Sequence, residues 1–157
     1  MKRSVLLVLF CFMLIGCNEN NITKEKEEYL VFKEELLKQT EFTNQEDIKF
    51  DIKVSVDRIT DEEISYRAII DNPKENINNM KAIVVHDYLT NDIFPSIGIF
   101  DDGIDLLVGN EEIKGVNLAG YIQTTKDINE LNLNIKVYVE YNNDEGDLVK
   151  VYYKSTK

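Results

Sequence analysis

The chain has 157 residues, enough for one domain with a sizeable core but too few for a two-lobed solute-binding protein. Its 29 acidic and 18 basic residues give a net charge of −11, so nucleic acid and anionic lipid are poor partners. The only cysteines are Cys11 and Cys17, so a domain that follows them must fold without disulfides.

The N-terminus has the pattern of a secretory signal peptide. Lys2 and Arg3 precede an apolar run, Val5–Ile15, whose roughly 11 residues fall short of the roughly 20 that span a bilayer. Leu14–Cys17 (LIGC) then resembles the lipobox of bacterial lipoproteins, in which Leu, a variable apolar residue and Gly or Ala precede a cysteine. The resemblance ends at Cys17. It implies cleavage before Cys17, lipid on its sulfur and acylation of the new N-terminus, so that the protein would take up palmitate.

This resemblance divides the chain into three parts. Residues 1–16 would be a lipoprotein signal peptide, residues 17–28 a polar, flexible tether, and residues 29–157 a single domain. Cleavage would remove Lys2 and Arg3 but no acidic residue, so the net charge would change from −11 to −13. The expected location is the extracytoplasmic face of a cell membrane, where several acyl chains give stable anchoring.

A short amphipathic helix is predicted for Lys24–Lys38, with Thr23 as a candidate N-cap. An extended helical tether is the alternative. The apolar residues that would contact the domain are Tyr29, Phe32, Leu36 and Leu37.

From Ile48 onward the apolar residues alternate with polar ones, as in strands with one buried face. Two such strands come first, and Asn72-Pro73 ends the second of them. Met80–Tyr88 is apolar on both faces, which predicts a central strand. The apolar positions of the first two strands are Phe50, Ile52, Val54 and Val56, then Ile64, Tyr66, Ala68 and Ile70.

Residues 89–108 contain Pro95, Gly98 and Gly103 and predict two short edge strands. Three more strands follow, covering Val116–Ile122, Leu133–Tyr141 and Leu148–Lys154. Within Leu133–Tyr141 the alternation places Val137 in the core and Lys136 on the opposite face, where a substitution is expected to be mild. About seven short strands separated by turns predict an all-β fold, an antiparallel, immunoglobulin-like β-sandwich after a short helix. An open barrel is the alternative.

Catalytic motifs are missing from the sequence. The chain's one histidine, His86, is followed by Asp87, but neighbouring side chains in a strand point to opposite faces. His86 is therefore expected to be a strand-end residue with a hydrogen-bonded or solvated ring. No Gly-x-Ser-x-Gly motif or phosphate-binding glycine loop occurs. We expect no enzymatic activity and no cofactor.

A zinc site is not expected, because it needs three or four nitrogen or sulfur ligands. Calcium takes oxygen ligands, and Asp101–Asp105 and Asn142–Asp147 are both rich in them. Neither segment fits the EF-hand spacing. The second also has the sequence of a hairpin turn, in which Gly146 supplies the positive φ. No metal site is therefore predicted, and calcium binding remains an alternative.

The segment from His86 to Asp105 has aromatic and apolar residues without a strand period. Irregular segments often carry binding sites, and aromatic residues often anchor partners. The alternative is that these residues close the core at one end of the sandwich. Phe94, which precedes Pro95, is expected to be more exposed than Phe100. The candidate partner-binding residues are Tyr88, Phe94, Phe100, Asp101, Asp102 and Asp105.

These features favour a membrane-tethered, non-enzymatic module of the cell envelope that binds another exported protein, in an accessory or immunity role. A small-ligand or calcium-binding sensor lipoprotein is the second hypothesis. A hydrolase that uses carboxylates is the third.

Overall fold

The computed structural model describes residues 19–89 and 93–157, with side chains from residue 24 onward. The predicted signal peptide and the predicted lipidation site, Cys17, lie outside the described residues. Within the described part, no helix combines the length and the apolar character needed to cross a membrane.

The described residues form a mostly antiparallel β structure with eight strands, which agrees with the predicted all-β class. The elements in chain order are helix α1 (Glu19–Lys38), strands β1 (Asp51–Thr60), β2 (Glu63–Asp71), β3 (Ile77–His86), β4 (Ser96–Ile97), β5 (Ile104–Leu106) and β6 (Gly115–Gln123), helix α2 (Ile128–Leu131), and strands β7 (Asn134–Asn142) and β8 (Leu148–Thr156).

The strands form two sheets. The first has the order β1-β2-β6, and the second has the order β4-β3-β7-β8, with β5 also paired to β3. Side chains from both sheets meet in one apolar core, which includes Tyr66 and Leu118 from the first sheet and Val84 and Val137 from the second. The period-two alternation of the sequence supplies these inward-facing residues, so it correctly predicted the strands.

A second apolar cluster lies on the other face of the second sheet, against helix α1. Tyr29, Phe32 and Leu36 are buried there against Ile83 and Tyr138. The rings of Phe32 and Tyr138 lie 4.9 Å apart, centre to centre. Strands β3 and β7 are therefore covered on both faces, which explains why Met80–Tyr88 is apolar on both.

Helix α1 begins at Glu19, so it includes most of the segment, residues 17–28, for which the sequence predicts a flexible tether. The segment between Glu19 and Lys38 has no Gly or Pro to interrupt a helix. Near its middle, Glu28 forms an ion pair with Lys81 of β3 at 2.5 Å. This contact holds part of the predicted tether against the domain.

Lys136 is not a simple surface residue, contrary to the expectation from alternation. Its ammonium group donates hydrogen bonds to the carbonyls of Leu37 and Gln39, at 2.7 and 2.8 Å. These carbonyls lie at the C-terminal end of α1, where helical partners are missing. Burial lowers the pKa of Lys136, and the nearby Lys154 lowers it further. Lys136 does lie on the face opposite Val137, as predicted, but the sequence pattern does not show that a helix covers this face.

Candidate functional site

The six predicted partner-binding residues do not form one surface. Phe100, Asp101 and Asp102 are exposed and adjacent in the turn between β4 and β5. Of the other three, Phe94 is buried, Tyr88 is half-buried, and Asp105 is exposed but hydrogen-bonded to the backbone of β3. The structure therefore reduces the candidate site to the first three residues and their surroundings.

Phe94 is buried, with 2% of its surface exposed, whereas Phe100 is 48% exposed. The expectation that Phe94 is the more exposed ring is therefore wrong. Its ring lies 5.0 Å from that of His86, in edge-to-face geometry, and the Lys33 ammonium lies 5.1 Å from its centre. The chain stays close to β3 here because Val84 donates its N–H to the carbonyl of Pro95 at 3.1 Å. A proline next to Phe94 therefore does not place it at an exposed loop tip.

Tyr88 and Asp105 also have structural contacts. The Tyr88 hydroxyl hydrogen-bonds to that of Thr124 at 3.1 Å, and its half-buried ring packs against the main core. Asp105 accepts the N–H of Asn79 at 2.7 Å. Asn79 has a φ of 52°, a conformation that costs energy for a residue other than Gly. Asp105 therefore supports a strained backbone position.

The segment Gly98–Gly103, here called the Phe100 turn, is packed closely against β3. Gly98 has a φ of 71°, and a Cβ atom there would lie 2.4 Å from the carbonyl oxygen of Met80. A Cβ atom on Gly103 would lie 2.2 Å from the side-chain oxygen of Asn79. Only glycine fits at either position, so the turn is fixed at both ends on β3. The exposed ring lies between these two close backbone contacts.

A polar cavity of about 390 Å³ lies between the Phe100 turn, strand β3 and the N-terminal half of helix α1. The charged residues that line it include Asp101, Asp102, Lys24, Glu28 and Lys81. The Glu28–Lys81 ion pair is partly buried, so each charge has a partner inside the cavity. The two aspartates are exposed at the rim, where they can meet a basic group on another molecule.

The Phe100 ring lies beside this cavity, with its centre 5.5 Å from the ring of Tyr29. Tyr29 belongs to α1, so the helix and the Phe100 turn support each other. Burial of the Tyr29 hydroxyl raises its pKa. A half-exposed aromatic ring can bury apolar surface on a partner, and the two carboxylates beside it can accept hydrogen bonds from that partner.

His86 is the last residue of β3 and is fully buried, so of the two expected states its ring is hydrogen-bonded and not solvated. Its Nδ1 accepts a long hydrogen bond from the N–H of Leu89 at 3.5 Å, and its ring lies 4.9 Å from that of Tyr66. The Asp87 carboxylate accepts two hydrogen bonds from Asn134, at 2.6 and 3.0 Å. His86 and Asp87 therefore contact different residues, and both sets of contacts stabilise this end of β3.

Of the two oxygen-rich segments, Asp101–Asp105 leads into β5, whereas Asn142–Asp147 forms the turn between β7 and β8. Asn143 accepts the N–H groups of Glu145 and Asp147 through its side chain, and Gly146 has a φ of 84°. These are the features of a hairpin turn, as its sequence predicts. Among the residues that the structure describes, no three His, Cys, Asp or Glu side chains lie together as a metal site requires. Calcium binding thus gains no support from the geometry.

An exposed surface beside β6 was not predicted from the sequence. Tyr121 is 62% exposed and, together with Leu89, Ile93 and Pro95, lines an open cavity of about 560 Å³. The sequence of β6 (GVNLAGYIQ) contains no charged residue, which could have indicated this surface. The alternation of apolar residues predicts only that β6 is a strand with one buried face.

Comparison with known proteins gives no relative. The chain matches no protein-family model, and no curated protein or solved structure is significantly similar to it. Its function is therefore inferred from its own residues and geometry.

Proposed function

We propose that this protein is a lipid-anchored, non-enzymatic module of the bacterial cell envelope that binds another exported protein. Cys17 would carry the lipid, and the β domain would stand on the extracytoplasmic face of the membrane. The Phe100 turn would contact the partner. A role as an accessory or immunity protein fits this arrangement.

The N-terminal sequence supports the anchor. A positive start at Lys2 and Arg3, the short apolar run Val5–Ile15 and the lipobox-like Leu14–Cys17 occur in the order that lipoprotein export requires. Two or three acyl chains hold a protein on a membrane stably, whereas one chain gives only reversible binding. The domain would then need no membrane-spanning helix to remain at the surface.

We further infer that the fold is immunoglobulin-like, and the strand order supports this. In immunoglobulin domains one sheet contains the first, second, fifth and fourth strands, and the other contains the third, sixth and seventh; the first sheet here has no counterpart of the fourth strand. The order β1-β2-β6 fits the first set and β3-β7-β8 fits the second, with β4 and β5 as short strands on the edge at β3. Tryptophan is absent from the chain, and the only cysteines precede the domain, so the core lacks the disulfide and Trp of antibody domains.

The observation that carries partner binding is the exposure of Phe100 beside two exposed aspartates. The ring is half exposed although it contacts Tyr29, and the turn that carries it packs against β3 at Gly98 and Gly103. A partner that covers this ring would bury apolar surface that the domain leaves exposed. The acidic rim favours a basic patch on the partner and speeds its approach.

Site-specific photo-crosslinking in the cells that make the protein would test this proposal. A photoreactive amino acid at Asp101 of the full chain should give one discrete adduct with an exported protein. The same amino acid at Glu145, an exposed acid in the β7–β8 turn, is the matched control. Phe100→Ala should remove the Asp101 adduct. Equal adducts at both positions, or an adduct that survives Phe100→Ala, would place the binding surface elsewhere.

A further inference from the structure

We propose that a cavity between the edge strands β1 and β8 binds the zwitterion of an α-amino acid with an apolar side chain. The cavity is separate from the Phe100 turn, and its residues do not depend on the lipid anchor. This inference therefore stands apart from the proposed function.

The cavity lies on the side of the sandwich where one edge strand of each sheet is found. Strand β1 ends the first sheet, and β8 ends the second. The cavity has a volume of about 240 Å³, and its lining includes the start of β1, Tyr153 of β8 and Lys74 of the loop after β2. That loop is held next to β1, because Lys74 donates its N–H to the carbonyl of Lys49 at 2.7 Å. Three separate segments of the chain therefore converge on the cavity.

Part of the lining is apolar and belongs to the core. Ile48 and Phe50 contribute to it, and both are buried, with 4% and 2% of their surface exposed. Ile52 and Tyr153 also line the cavity, and these half-buried side chains pack against the same core. An apolar ligand group placed against these four residues would leave water, which favours its binding.

The polar part of the lining has charges of both signs. The Asp51 carboxylate accepts a hydrogen bond from the Asn72 amide at 3.0 Å and lies 3.5 Å from the Lys74 ammonium. The bond from Asn72 lowers the pKa of Asp51 most, and the charges of Lys74 and Lys53 lower it further. One carboxylate and two ammonium groups are therefore close together beside the apolar residues.

Two of these charged groups are accessible to a ligand. The side chains of Lys74 and Asp51 are 55% and 39% exposed, and their contact is longer than a charge-assisted hydrogen bond of about 2.7–2.9 Å. Such exposed ion pairs add little stability, so either group can change partners at small cost. Lys53 is less available, because it donates two hydrogen bonds to Asp71, at 3.0 and 3.2 Å. Lys74 would therefore bind the ligand's carboxylate, and Asp51 would bind its ammonium group.

The balance of charge favours a zwitterion over a simple anion or cation. The two ion pairs beside the cavity are neutral together, and the nearby exposed residues Glu46, Asp47 and Lys49 add two negative charges and one positive charge. The region thus offers an anion no surplus of positive charge, and the chain as a whole, at −11, repels it. A simple cation would meet two ammonium groups next to Asp51. A zwitterion avoids both forms of repulsion, because each of its charges faces an opposite one.

The volume limits the size of the ligand. An apolar cavity of about 150 Å³ holds benzene, so about 240 Å³ should hold roughly ten non-hydrogen atoms. Valine, leucine and isoleucine are of this size, whereas most dipeptides are larger. The ligand class is therefore a single amino acid with a branched aliphatic side chain.

Methyl NMR of the full chain in mild detergent, with labelled isoleucine methyl groups, would test this proposal. At about pH 6.5, where both groups of an amino acid are charged, L-leucine should shift the Ile48 and Ile52 signals. The shifts should saturate with a dissociation constant on the order of 1 mM, as expected for so small a ligand. Ile83, which is buried beneath helix α1, is the internal control, and its signal should not move.

Three analogues test the three parts of the ligand. Glycine lacks the apolar side chain, 4-methylpentanoate lacks the ammonium group, and leucinamide lacks the carboxylate. Each should bind at least about tenfold more weakly than leucine, because apolar burial or a charge-assisted hydrogen bond is lost. Equal binding of all four compounds, or no saturable shift with leucine, would overturn the proposal.

Substitutions assign the two charged groups. Lys74→Gln should weaken leucine binding about tenfold and remove its advantage over leucinamide, whereas Asp51→Asn should remove its advantage over 4-methylpentanoate. Lys150→Gln is the matched control, since Lys150 is also ion-paired but lies over the Tyr138 ring on the other face of β8. It should bind leucine like the wild type, and circular dichroism should show that all three variants are folded. Unchanged binding by Lys74→Gln and Asp51→Asn, or an equal loss in Lys150→Gln, would contradict a site at this cavity.

Discussion

The hydroxyl of Tyr29 makes two hydrogen bonds to the backbone of Phe94: it accepts the Phe94 N–H at 2.7 Å and donates to the Phe94 carbonyl at 3.3 Å. The two residues are 65 positions apart in the chain, one on helix α1 and the other just before β4. Both are buried, so water cannot replace these bonds. This contact ties the helix to the domain and keeps Phe94 beneath it.

Tyr29→Phe should therefore destabilise the protein while keeping its fold. The substitution retains the ring but leaves the buried N–H of Phe94 without its partner, which costs about 1–3 kcal/mol. Urea unfolding monitored by circular dichroism would measure this loss. Tyr121→Phe, which removes a hydroxyl from an exposed ring, is the control and should unfold at the wild-type midpoint. Equal midpoints for both variants would mean that the Tyr29–Phe94 contact does not stabilise the domain.

Phe94 and Phe100 should respond differently to truncation. Phe94→Ala leaves a cavity between His86 and helix α1, so we expect the free energy of unfolding to fall by about 3–5 kcal/mol. Phe100→Ala removes a half-exposed ring and should lower the melting temperature much less, although contact with Tyr29 is lost. Thermal melting of both variants compares the two losses of stability. If Phe100→Ala melted as early as Phe94→Ala, the Phe100 ring would be a core residue, and its role in partner binding would lose its basis.

The alternation of apolar residues was sufficient to predict the strands, because each strand of a two-sheet fold must bury one face. It did not predict which residues the helix would cover. Val137 and Val139 face the core between the sheets, as predicted, but Tyr138 between them is also buried, under α1. In the sequence of β7, only the aromatic side chain of Tyr138 indicated that the second face of this strand is also covered. The docking of a helix depends on contacts distant in sequence, which a local period does not encode.

The candidate site was only partly predictable for the same reason. The exposed Phe100, Asp101 and Asp102 lie in the segment that the sequence singled out. The exposure of Phe94, however, depends on Tyr29, which is 65 residues away. The edge position of β6 depends on which strands become neighbours, and strand order is set by the whole chain.

Lys136 gives a third prediction, which corrects the expectation that changes here are mild. Lys136→Ala removes both bonds to the last carbonyls of α1, and we expect a loss of about 1–3 kcal/mol because hydrogen bonds to a charged group are strong. Lys136→Asp should cost more, since it places a negative charge at the negative end of the helix dipole. Urea unfolding would measure both. Lys154→Ala, an exposed change nearby, should leave the midpoint unchanged, and a similar result for Lys136→Ala would contradict the capping role.

Alkaline pH should unfold the protein through its buried tyrosines. Burial raises the pKa of Tyr29 and Tyr138, and it also raises the pKa values of Tyr141 and Tyr152, whose hydroxyls donate to Glu75 and Glu35. An unfolded chain ionises tyrosine near pH 10, so above that pH the unfolded state releases protons that the folded state keeps. Stability is therefore complete below about pH 10 and falls as the pH rises further.

Tyrosine ionisation can be followed by absorbance at 295 nm and folding by circular dichroism. At least four of the eight tyrosines should ionise only as the sheet signal is lost. Tyr152→Phe should remove one tyrosine from this delayed group. If all eight ionised together near pH 10 in a protein that was still folded, the buried hydroxyls would not couple pH to stability.

The proposed lipid anchor would depend on one atom, the sulfur of Cys17, so the last prediction concerns its removal. In cells that make the protein, Cys17→Ser should abolish labelling by radioactive palmitate and leave an uncleaved precursor, because lipidation precedes cleavage in lipoprotein export. Cys11→Ser is the matched control, because Cys11 lies within the apolar run and should be discarded with it. This control variant should be labelled, cleaved and retained in the membrane fraction like the wild type. A Cys17→Ser chain that was still cut normally and released as a shorter soluble protein would show an ordinary signal peptide, and the anchored location would have to be abandoned.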